Sequence, residues 1–81
     1  MDTIISNILW FLEGKDWQFA GTISRRIHEI TGHKESVVER RLREMHEDEI
    51  LDRQYVQVDG KGPWCVKYRI KRPVEVQGNL V

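Results

Sequence analysis

Eighty-one residues make one domain, and a chain this short buries only about 60 to 65% of the surface it exposes when unfolded, so its core is small. Thirteen Lys and Arg against thirteen Asp and Glu exclude a uniformly basic surface, and a lone cysteine, Cys65, excludes an internal disulfide and suits a reducing compartment. The longest apolar run, Ile8 to Leu12, is too short for a membrane span, and Met1-Asp2 lacks the positive start of a secretory leader; the expectation is a cytoplasmic protein with no membrane partner.

Taken in order, Asp2 or Thr3 caps a first helix running to about Glu13, with Gly14 as its stop. Ile4, Ile5, Ile8, Leu9, Phe11 and Leu12 give it a broad apolar face, and Trp10 falls outside that face, with Thr3 and Ser6. Trp10 is therefore covered by the tail, covered by a second subunit, or partly exposed. Gly14-Lys15-Asp16 is a turn, and Trp17-Gln18-Phe19 alternates as a strand stub does. Gly21-Thr22 opens a second helix with Ile23, Ile27 and Ile30 inward and Arg25, Arg26 and Glu29 outward, closing at Thr31-Gly32.

The third helix begins near Lys34 to Ser36 and ends in His46-Glu47-Asp48-Glu49. Val38, Leu42 and Met45 form its apolar stripe, while Ser36, Arg40, Arg43 and Glu47 fall on the opposite side, and Arg41, on the core flank, suits an intramolecular ion pair. Acids at a helix C-terminus oppose the macrodipole and do not stabilise the helix. Leu51 to Val58 and Trp64 to Ile70 are strands around the turn-forming Asp59-Gly60-Lys61-Gly62-Pro63. In the second, Trp64, Val66, Tyr68 and Ile70 form a core face and Cys65, Lys67, Arg69 and Lys71 a basic one. In the first, Val56 and Val58 compete with Tyr55 for the inward side. Arg72-Pro73 ends the pairing, leaving residues 73–81 as an extended tail.

This order of elements, with Val38-Glu39-Arg40-Arg41-Leu42, Met45, an acidic run and Ile50-Leu51, resembles the winged helix-turn-helix DNA-binding domains. The resemblance covers about Ile5 to Lys71 and implies an α+β fold over residues 1–72: three helices and a C-terminal β-hairpin wing. Two departures stand out. The interval from Ile27 to Val38 is about one helical turn longer than the commonest family spacing, and a glycine common in the family is replaced by Glu49, which implies a stiffer link or an unusual backbone angle there.

The resemblance further implies a small transcriptional regulator on double-stranded DNA, with the third helix in the major groove. Ser36 and Arg40 would bond base edges, Val37 would meet a thymine methyl and Arg43 a phosphate. Lys61 at the wing tip would reach backbone or minor groove, and Lys67 and Arg69 would either follow phosphates or protect a sheet edge. Thr22 or Arg25 would add a backbone clamp. The competing reading of the helix face is a solvated surface whose arginines pair with Glu39, Glu44 and Glu47. A site of useful length requires two copies, and the first helix, Trp10 and the tail are the expected homodimer contact. The rival is a protein-interaction adaptor on the same fold, favoured by the neutral net charge, the acid run and Trp10. His28, His33, His46 and Cys65 lack the spacing of a zinc site, and no nucleophile, phosphate-loop or cofactor motif appears, so neither an enzyme nor a cofactor is expected.

Overall fold

A computed structural model describes residues 2–72. Helix α1 (Thr3–Leu12) is capped by Asp2, whose Oδ1 accepts the Ile4 N–H at 2.8 Å, and it buries Ile4, Ile8 and Leu12 at four-residue spacing. Strand β1 (Gln18–Phe19) passes directly into α2 (Ala20–Thr31), which buries Ile23, Ser24 and Ile27. Gly32, in the left-handed region at φ 79°, ends α2 with its N–H on the His28 carbonyl. Helix α3 (Glu35–Glu47) buries Val38, Leu42 and Met45, the stripe its sequence spacing gives. Because Gly32-His33-Lys34 alone connects α2 to α3, the extra length between Ile27 and Val38 is helix rather than loop.

Helix α3 ends in a Schellman motif: the Glu49 N–H donates to the His46 carbonyl and the Ile50 N–H to the Met45 carbonyl. The motif requires a left-handed residue, and Glu49 supplies it at φ 64°. Of the two outcomes expected at Glu49, a stiffer link or an unusual backbone angle, the angle is present.

Strands β2 (Leu51–Gln57) and β3 (Trp64–Ile70) pair antiparallel from Leu51↔Ile70 to Gln57↔Trp64, joined through a 3-10 turn at Val58–Gly60. Strand β1 adds to the other side of β3 through Gln18↔Tyr68 and Phe19↔Lys67, so the sheet order is β1-β3-β2 and β2 is an edge. The result is an α+β domain of three helices and a three-stranded antiparallel sheet, compatible with a winged helix. Ile4, Ile8, Leu12, Ile23, Leu42 and Tyr68 are among the buried residues of a single core. No helix among the described residues is long and apolar enough to cross a membrane.

Three expectations are corrected. Ile30 is 45% exposed and takes no part in the core, because the inward stripe continues at four-residue spacing from Ile23 and Ile27 to the half-buried Thr31. Trp64 shares the register face of Tyr68 but is 63% exposed. Seven residues at about 3.3 Å each span roughly 20 Å, and the hairpin's far end carries Trp64 beyond the helices that cover Tyr68. Finally, β3 is an interior strand, and Lys67 is flanked by Phe19 and Gln54, so edge protection is not its role. The proposed tail, residues 73–81, lies outside the described residues, as does any cover it gives Trp10, which is 60% exposed.

Candidate nucleic-acid interface

Helix α3 presents Ser36, Arg40 and Arg43 to solvent. Arg40 and Arg43 have no carboxylate within ion-pair distance among the described residues. Arg41 contrasts with them: its Nε lies 2.9 Å from Asp2 Oδ2 and its Nη1 3.0 Å from Glu44 Oε1, the intramolecular role its flank position gives it. The Ile4 N–H, followed by the Arg41 guanidinium, holds the Asp2 carboxyl below its ordinary value of 3.8. Val37 is half-buried and packs against the core, which takes it off the exposed face on which it was expected to meet a base.

Lys61 is exposed in the hairpin loop, between Gly60 at φ 68° and Gly62 at φ 81°. Its backbone is fixed by a bond from its N–H to the Val58 carbonyl, and the Gln57 amide donates to the Gly62 carbonyl at 2.7 Å.

Lys67 and Arg69 are not gathered with this set. Residues directly opposed in an antiparallel sheet share a face, so the register puts Arg53, Tyr55, Val66 and Tyr68 on one side and Asp52, Gln54, Lys67 and Arg69 on the other. The first side faces α3. On the second, Lys67 Nζ lies 4.7 Å from the Phe19 ring centre. Arg69 stacks on Trp17 at 4.3 Å, reaches Asp16 Oδ1 at 3.3 Å through Nη1 and lies 3.5 Å from Asp52 Oδ2 through Nε. That Nε makes no hydrogen bond, so the Asp52 contact is purely ionic. Arg69 thus ties the Asp16-Trp17 approach to the hairpin, and the expectation that it joins α3 on a phosphate gives way to a structural role.

Residues that sequence reasoning underweighted stand in its place. An open cleft of about 570 Å³ lies between the start of α2, α3 and the sheet, with Arg25, Arg43 and Arg53 contributed by three different elements and the exposed Tyr55 supplying ring surface. None of the three arginines has a carboxylate within ion-pair distance among the described residues, and Arg53 lies 5.2 Å from the Tyr55 ring centre. Glu39 is the one acid of the lining, its Oε2 3.5 Å from the hydroxyl of buried Ser24. The signal for Arg53 and Tyr55 was present in the Arg53-Gln54-Tyr55 alternation, but it needed the Tyr55↔Val66 register to assign a face.

Among the described residues no group of three His, Cys, Asp or Glu is placed to hold a metal ion. Comparison with protein-family models, with curated proteins and with solved structures finds no match for this chain.

Proposed function

We propose that the chain is a winged helix domain that binds double-stranded DNA, most simply as a small transcriptional regulator, with α3 in the major groove and the Lys61 loop on backbone or minor groove. One observation carries this reading: Arg40 and Arg43 stand side by side on an exposed helix with no acid neutralising them, while Arg41 between them is held by two carboxylates. Arginines left free on a helix face are available for guanine edges and phosphates. Lys61, held between two glycines on a fixed loop backbone, offers a further exposed positive charge at the hairpin loop. Lys67 and Arg69 have no part in the contact.

The test is a fluorescence titration with mixed-sequence duplex at low and moderate salt. Affinity falls steeply with salt, and Arg40→Ala or Lys61→Ala each reduces the log–log slope by about 1. Absence of binding even at low salt would sink the DNA reading in favour of the second one, an adaptor within a protein assembly, which the 60% exposure of Trp10 on α1 favours.

A further inference from the structure

We propose that the cleft between α2, α3 and the sheet is a nucleotide site, taking an amino-bearing base together with its phosphate. The proposal does not rest on duplex binding, because Arg40 and Lys61, on which the duplex reading turns, lie outside the cleft, although Arg43 and the clamp candidates Thr22 and Arg25 line it. Tyr55, on the sheet side that faces the cleft, is 54% exposed and offers ring surface to a flat base. Arg25, Arg43 and Arg53 supply positive charge from three directions, and α2 begins at the cleft with no side chain capping its first N–H groups, which favours an anion there. A volume of about 570 Å³ suits a ligand of this size.

Glu39 decides the chemical class. A carboxylate among three arginines disfavours a ligand that brings its phosphate without a neighbouring amino group, and rewards one that carries an exocyclic amino group alongside its phosphate. Adenine, cytosine and guanine carry such an amino group; uracil and thymine do not. The free nucleotide and a nucleotide within a single strand share this chemistry.

The measurement is a two-dimensional amide NMR titration of the intact chain with adenosine monophosphate, uridine monophosphate, phosphotyrosine, inorganic phosphate and a short single-stranded oligoadenylate. Adenosine monophosphate shifts the amides of Thr22, Arg43, Arg53 and Tyr55 and binds about fivefold or more tighter than the uridine nucleotide. Tyr55→Ala and Arg53→Gln each weaken it by about tenfold, the scale of a lost stacking or charge contact. Both side chains lie outside the core, and a dispersed spectrum confirms that each variant folds. Tighter binding of the oligonucleotide identifies the source as a strand; equal binding identifies the free nucleotide. The proposal fails if these amides do not move at millimolar nucleotide, if inorganic phosphate or phosphotyrosine binds as well, or if neither substitution matters. Arg40→Ala, outside the cleft, leaves nucleotide affinity unchanged whether or not it weakens duplex binding, so the two readings fail separately.

Discussion

Glu49 shows how one residue sets a local geometry at a cost. A side chain with a Cβ in the left-handed region costs about 1 to 2 kcal/mol, against which glycine's larger unfolded-state entropy costs about 0.5 to 1. Glu49 also contacts Lys71 at 3.3 Å, but its side chain is largely exposed and such a pair contributes little. Glu49→Gly is therefore expected to stabilise the domain by about 0.5 to 1 kcal/mol, raising Tm by several degrees in a thermal melt; a lower Tm would contradict the account. Asp2 gives a test of charge. Its carboxyl, held low by the Ile4 N–H and then by Arg41, contributes stability that is fully present above 3.8 and is lost as pH falls through its folded value. Asn still caps a helix, so Asp2→Asn removes the charge alone. Melts of the two proteins should differ at neutral pH and draw together below about pH 4.

At the scale of elements, β1 is only two residues long, and the paired bonds to β3 are supported by Arg69 lying on Trp17 with Asp16 beside it. Replacing Arg69 with Met should cost about 1 kcal/mol globally. It should accelerate amide exchange at Gln18 and Phe19 much more than in α3, since β1 then opens by itself. Equal acceleration throughout would show that Arg69 supports the core rather than the stub. The helices were legible from spacing: Val38, Leu42 and Met45 repeat as a buried face must, and Arg41's flank position announced its ion pairs. Periodicity names a face but not how far another element extends over it, which is why Trp64 was assigned inward and stands exposed, while Ile30 lies beside the stripe that Ile23, Ile27 and half-buried Thr31 define. The places of Lys67 and Arg69 depended on β1 joining β3, a choice made in three dimensions and written nowhere in the hairpin's own alternation.

For the molecule as a whole, the small core is the limiting quantity. At about 0.05 to 0.15 kcal/mol per residue a domain of 81 residues has roughly 4 to 12 kcal/mol to lose. Leu42, fully buried between the helices and the sheet, should cost about 2 to 5 kcal/mol on truncation to Ala, enough to leave a large unfolded fraction in a urea titration. The candidate site was partly legible: Arg40, Arg43 and Lys61 were singled out from charge and position and stand exposed, whereas Arg25, Arg53 and Tyr55 gained their importance only once three elements met.

The join after α3 has a mechanical consequence. Glu49 and Ile50 both donate backward into the last turn, and the Ile50 carbonyl accepts from the Lys71 N–H across the sheet, so no slack residue separates the helix from the hairpin. A rod and a blade welded at that corner cannot swing independently. Whatever lies across both meets surfaces whose mutual angle was fixed during folding, and little additional ordering remains to oppose its attachment.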